Sequence, residues 1–260
     1  MSQVISSDAK ARGYRHPYYE LPNFEVVAGA VRTQSVVEVI TYSPILERSD
    51  DIPDWIKYTS RTDHTWLAAS VDAAVQRGTS SRHEYDMGPF TPAVYNVAKN
   101  GTIYDADGPG PFSPLWLISP PPFRPGSVNF NIISFDFAQE GFAVLNRTRN
   151  AVFSRILVPE EFHNLQELVM TRDQYETYHN EIVINGQDHD AYSVYMAPVF
   201  VDAFDTNSTL VGFLSTFFTW DRYLVNLLPQ GIRGIICVIR NTCGQAVSYE
   251  LVGNRVSLPL

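Results

Sequence analysis

The stretch 194-VYMAPVFVDAFDTNSTLVGFLSTFFTWDRYLVNLLP-229 holds two strand-like runs, a polar break between them, and an amphipathic segment closed by Pro229. The runs 192-YSVYMAPVFV-201 and 210-LVGFLSTFF-218 are dense in aromatic and β-branched residues, which suit a pleated, buried surface. Thr219 is a natural helix cap, and beyond it Trp220, Leu224 and Leu227 fall on one helical face, predicting a helix over 220–228. Two further runs follow, 232-IRGIICVIR-240 and 245-QAVSYELVG-253. Strand, strand, helix, strand and hairpin predict an antiparallel sheet with a helix packed on one side, an α+β arrangement.

Upstream, residues 1–22 are polar and read as irregular, with Pro17 and Pro22 blocking a long helix. The run 36-VVEVITYSPI-45 has the β-branched density of a buried strand. Asp51 before Ile52-Pro53 is a helix start, and Ile56, Asp63, Leu67, Val71 and Ala74 recur at helical spacings, predicting one helix over 53–77 ended by Gly78. Prolines and glycines punctuate 79–130, leaving room for short strands around 90–104 and 114–118. The runs 128-VNFNIISFDF-137 and 151-AVFSRILV-158 read as strands, the first of them central. The acidic stretch 159–190 reads as a surface excursion.

The chain has 260 residues and a formal net charge of -9, so neither nucleic acid nor an anionic membrane surface is an expected partner, because both need a positive face. Apolar residues make up 45% and charged residues 18%, which places it with globular rather than disordered chains. No apolar run reaches the length of a membrane helix, and the first residues lack the apolar core of a signal peptide. Three sequons, beginning at Asn100, Asn146 and Asn207, lie in polar stretches. Cys237 and Cys243 would stand about 20 Å apart in one extended strand. A bond between them needs a turn, for which Asn241-Thr242 is placed; otherwise they are free buried thiols.

Catalytic patterns are sparse. His16, His64, His83, His163 and His179 are scattered, and 188-DHD-190 has no second histidine at a ligand spacing, so no metal site or cofactor is expected. A binding pocket suits the residues better. Asp136 lies between Phe135 and Phe137 in 132-IISFDFA-138, where a buried carboxylate requires donors, supplied either by the protein or by a ligand. In a strand, Ser134 shares its face. Tyr195, Met196, Phe200, Phe213 and Phe217 are candidates to line the same apolar cavity.

The segments 194-VYMAPVF-200, 210-LVGFLSTFFTWDRYLVNLLP-229 and 234-GIICVIRNTCGQAVSYELVGN-254 resemble the CHASE-type sensor domain. With 22-PNFEV-26, 115-LWLISPPPF-123, 129-NFNIISFD-136 and 223-YLVNLLPQGIRG-234, they are similar to the ectodomains of receptor-type adenylate and guanylate cyclases of diatoms and related algae. The resemblance spans residues 20 to 254. It implies an α+β module of two PAS-like lobes on an axial helix, held outside the cell between membrane helices, whose occupancy controls cyclic nucleotide signalling. On that division, 1–22 is an N-terminal segment, 23–190 the helix and first lobe, 191–254 the second lobe, and 255–260 a tail. The membrane helices and the cyclase domain are not within this chain, which is therefore not expected to be an enzyme itself.

The resemblance also puts Asp136 in the role of the aspartate that receives a ligand's donor groups in plant cytokinin sensors, although 151-AVFSRILVPEEF-162 lacks their threonine-bearing strand. The implied partners are a small-molecule ligand and a second copy through the helical stalk. Two other readings stand beside it: an α+β hydrolase using His189 and Asp190, and a binding-only decoy or scaffold.

Overall fold

The structure, a computed structural model, describes residues 1–35, 37–78, 81–98, 101–157, 191–225, 227–253 and 255–257. In chain order the helices are α1 (Ser2–Arg12), α2 (Phe24–Ser35), α3 (Ile52–Thr59), α4 (Trp66–Gln76), α5 (Asp136–Thr148) and the single turn α6 (Trp220–Leu224). The strands are β1 (Val39–Pro44), β2 (Tyr95–Val97), β3 (Ile103–Asp105), β4 (Leu117–Ser119), β5 (Val152–Phe153), β6 (Tyr192–Phe200), β7 (Leu210–Thr219), β8 (Ile235–Arg240), β9 (Ala246–Val252) and β10 (Arg255–Ser257). The architecture is α+β, and every named strand pairing is antiparallel.

Both runs of the 194–229 stretch are strands, and they form a hairpin across the polar break, from Tyr192↔Thr219 to Phe200↔Leu210, with a bulge at Val199/Phe200. β7 also pairs along the whole of β1, from Val39↔Phe217 to Pro44↔Gly212. The resulting five-stranded sheet has the order β4-β1-β7-β6-β5. The strands after residue 190 therefore do not make a sheet of their own, as a separate second lobe requires. β6 and β7 complete the sheet begun by β1 and β4, and only β8, β9 and β10 form a distinct sheet. The near-continuous apolar runs of β6 and β7 need cover on both faces and a partner on each side, which a central position supplies.

The helical expectations change in four places. Residues 1–22 are not irregular throughout: α1 buries Ile5 and Ala9 at a four-residue spacing and ends at Gly13, whose φ of 69° is the left-handed conformation glycine adopts freely. The axial helix over 53–77 is two helices, α3 and α4, broken at 60–65. The expected central strand over 128–137 is instead a run of short turns followed by α5. Phe137, Ala138, Gly141, Phe142 and Leu145 are buried along one face of α5, a helical period that begins inside the strand-like run. Finally, α6 stops at Leu224 rather than reaching 228. The stretch 159–190, with His163, His179, His189 and Asp190, lies outside the described residues.

The break between α3 and α4 is organised by one buried carboxylate. Glu20 Oε1 accepts from the backbone N–H groups of Thr65 (2.7 Å) and Trp66 (2.8 Å) and from the Thr65 hydroxyl (3.1 Å), closing the N-terminus of α4. Glu20 Oε2 lies 2.5 Å from His64 Nδ1, and His64 Nε2 lies 2.8 Å from the Tyr58 carbonyl in α3. Above them, Trp116 is ringed by Trp55, Tyr58, His64, Trp66 and Phe90 with centroids 4.8–5.6 Å away, mostly edge to face. A second buried acid, Glu25 of α2, meets Arg32 at 3.0 Å and also Arg77 just beyond α4, joining those two helices.

Two outcomes follow from these contacts. A Cβ at Gly212 would stand 2.7 Å from the Tyr42 ring and 2.8 Å from the Ser43 carbonyl. Gly212→Ala is expected to lower stability by about 1–3 kcal/mol in urea denaturation, as overpacking does. Burial raises the Glu20 carboxyl, but the His64 ring and the two backbone N–H groups outweigh it and hold the group below its ordinary 4.5. A carboxyl depressed on folding stabilises fully above its unfolded value and loses that contribution as pH falls through the folded one. Acidification below about 4.5 should therefore erode stability, and Glu20→Gln should lower stability at neutral pH while flattening that acid slope.

Candidate ligand-binding site

Residues directly opposite in an antiparallel ladder share a face. The pairings Thr41↔Ser215, Ser215↔Met196 and Met196↔Val152 therefore set one row across the sheet. Ser43, Phe213 and Pro198 form the next row, and Val39, Phe217 and Val194 the row on the other side. α5 covers this face. Phe142 meets Phe213 with centroids 5.8 Å apart, and a Cβ on Gly141 would lie 2.7 Å from the Met196 sulfur, so the missing side chain lets the helix sit down on Met196. The opposite face carries Tyr42, packed on Tyr19, which is tied to α1 through its bond to Asp8.

Under α5 the sheet is not purely apolar. Thr41 Oγ1, Ser43 Oγ and Ser215 Oγ are all buried, and none has a hydrogen-bond partner among the described residues. An unpaired buried hydroxyl costs about 1–3 kcal/mol by protein mutational data. Thr219 Oγ1, on the same face of β7 four residues along, is unpaired as well, and so are Trp66 Nε1 and Ser70 Oγ on α4. What sets the three hydroxyls apart is their adjacency: Thr41 and Ser215 are direct neighbours across the central ladder, and Ser43 is one row along. They form a polar floor walled by Phe213, Phe217, Met196 and Val39.

A cleft of about 430 Å³ opens at the β5 edge of the sheet, with β6 between it and β7, and none of the three hydroxyl residues lines it. Phe137, Gly141 and Val144 of α5, Val152 and Phe153 of β5, and Trp220 line it, together with Arg155, Ile239 and Arg240 of β8 and the turn 241–243. Gly141 and Val152 belong both to the cleft and to the Met196 contact, so Met196 separates the cleft from the hydroxyls. The size falls within the usual range for small-molecule sites, with apolar walls and few polar groups. The Trp220 indole donates to Ser193 at 2.9 Å, which fixes that wall.

The sequence candidates divide. Met196, Phe213 and Phe217 stand together on the α5 face. Tyr195 points to the other face, against Phe153 at 5.0 Å. Phe200 lies past the bulge, beneath the Arg149 guanidinium at 4.6 Å. Asp136 is exposed at the first turn of α5 rather than buried in a strand, where a carboxylate is favoured by the helix dipole. The premise that it needs a buried donor therefore falls, and it does not line the cleft. Ser134 sits in the short turn before α5, and its hydroxyl is buried without a partner among the described residues. Thr41, Ser43 and Ser215 were missed because a lone hydroxyl in an apolar strand carries no motif; alternation within 39-VITYSP-44 and 213-FLSTF-217 is the signal that places them on one face.

Cys237 is half-buried and Cys243 exposed, both free, although the chain does turn at 241–244. Asn146 and Asn207 are exposed, and Asn100 lies outside the described residues. Among the described residues no group of His, Cys, Asp and Glu is placed to hold a metal ion. No protein-family model matches the chain, and no curated protein matches it either.

The unpaired hydroxyls generate a direct test. Thr41→Val and Ser215→Ala should each raise the stability of the isolated protein, by up to about 1–2 kcal/mol, since each removes a polar group that gains nothing from burial. Loss of stability in both variants would show that the hydroxyls are already satisfied.

Proposed function

We propose that this chain is a ligand-sensing module of the CHASE-like kind, acting as the ectodomain of a receptor-type nucleotide cyclase. The observation that carries the reading is the set of buried, unpartnered hydroxyls on the central strands beneath α5, with a cleft of ligand size at the β5 edge of the same sheet. An antiparallel sheet of five with helices on its faces also fits the description of a PAS-like lobe. A ligand with hydrogen-bonding groups and an apolar body would satisfy Thr41, Ser43 and Ser215 once Met196 turns aside. Methionine, with its unbranched flexible chain, is suited to that movement.

Occupancy would be transmitted by favouring one placement of α5 over the sheet. β7 carries Ser215 and runs directly into α6 at Trp220, and α6 contacts β10, so a shift along β7 would reach the C-terminal sheet through that packing. Among the described residues no helix is long and apolar enough to cross a membrane.

Two measurements test the proposal. The complete transcript should encode, in frame, an apolar segment of about 20 residues and a cyclase catalytic domain; a reading frame with neither refutes the cyclase assignment. Protein purified from its native source should carry a small molecule, identified by mass spectrometry, that raises the melting temperature of the apo chain. Ser43→Ala and Ser215→Ala should each weaken its binding by roughly tenfold, the loss of about one buried hydrogen bond. Undiminished binding by both variants refutes the site.

A further inference from the structure

β8 is an edge strand of the β10-β9-β8 sheet. The Asn241 N–H donates to the Gln245 carbonyl at 3.2 Å, which sets the ladder: Ile235, Cys237 and Ile239 turn their backbone groups toward β9. Ile236, Val238 and Arg240 turn theirs outward, where they meet no partner among the described residues. The same residues present exposed side chains, Ile236 at 62% and Val238 at 47%. Cys237 and Ile239, on the other face, pack with Tyr249 and Leu251 in a small core of their own. Between Ile235 and Ile239 the edge has no proline, no charge and no bulge, the devices that normally keep an edge strand from pairing.

We infer that a second copy of this chain pairs with β8, antiparallel, about a two-fold axis at Val238. A two-fold interface must be self-complementary. In this register Val238 of one copy exchanges both backbone bonds with Val238 of the other, and Ile236 does so with Arg240 in each direction. The unmet backbone groups of the edge are satisfied by their own copies, and the two small sheets become one of six strands.

Charge selects this register. Glu250 lies directly across the ladder from Ile236, on the outer face, and neither Glu250 nor Arg240 makes an ion pair within the chain's described residues. In the dimer, Arg240 of one copy takes the place on the far side of Ile236 of the other. Two strand spacings, roughly 10 Å, then separate its backbone from that of Glu250, within reach of two long side chains laid over the isoleucine. Symmetry makes the contact twice. A register centred on Ile236 would set Val238 opposite Gly234 and Arg240 opposite Ile232, losing both charge contacts and side-chain cover.

The test uses the full chain. Sedimentation velocity should show a reversible dimer that weakens as salt is raised. Arg240→Glu and Glu250→Arg should each weaken dimerisation by about tenfold, because two attractions become two repulsions, and the double variant should recover wild-type affinity. In a Cys237→Ser, Cys243→Ser background, Val238→Cys should oxidise to a covalent dimer. Directly opposed residues in such a pair stand about 5.5 Å apart at Cα, inside the disulfide range. A monomer at all concentrations overturns the inference, as does a dimer that neither charge reversal weakens, or one in which the Val238→Cys variant fails to cross-link. Association with a different protein through β8, with the chain itself monomeric, overturns it equally.

Discussion

The β1–β7 ladder is the constraint on which the rest of the structure depends. It sets residues 39–44 beside 212–217, segments separated by most of the chain, with β1 buried throughout and β7 buried from Leu210 to Ser215. Closing so long a loop costs entropy before any contact rewards it, so the ladder must be compensated by what it organises. It does this in three directions. β4 adds on one side, the β6 hairpin on the other, and the two faces receive α5 and the N-terminal segment. Gly212 shows how tight the arrangement is, since its neighbours leave no space for a methyl group.

The same ladder creates the polar floor. An apolar face would be the more stable solution beneath α5, yet Thr41, Ser43 and Ser215 hold hydroxyls there with nothing in the described structure to bond to. Native interiors satisfy nearly all such groups. A cluster of exceptions on the two central strands is the observation on which the proposed ligand site rests.

The Trp116 cluster has the opposite character. Glu20, His64 and the start of α4 satisfy one another, and the aromatic rings around them exclude water. Glu20 precedes every strand, yet it fixes the position of α4, and through Glu25 and Arg77 the second helix is locked to the fourth. This end of the molecule is built for rigidity, with only Trp66 Nε1, Ser70 Oγ and Glu25 Oε2 unpaired among the described residues there, whereas the α5 side and the β8 edge carry adjacent groups with unmet bonding capacity.

Local pattern in the sequence determined what depends on neighbours along the chain. The two long runs of 194–229 are strands because their aromatic and β-branched density admits little else, and β8 and β9 form a hairpin because Asn241 to Gly244 turn the chain. The acidic balance and the α+β class were equally plain. Tertiary structure alone decided the partners. Nothing local says that β7 pairs with β1 rather than with the C-terminal strands, because edge hydrogen bonds are identical from one strand to the next. Nothing local kept 132-IISFDFA-138 from reading as a strand, since its helical period becomes visible only when extended to Leu145 and when a sheet face is available to bury it. The break at 60–65 likewise required a carboxylate from residue 20, and the hydroxyl floor required two strands to meet, so both were fixed only when distant residues came together.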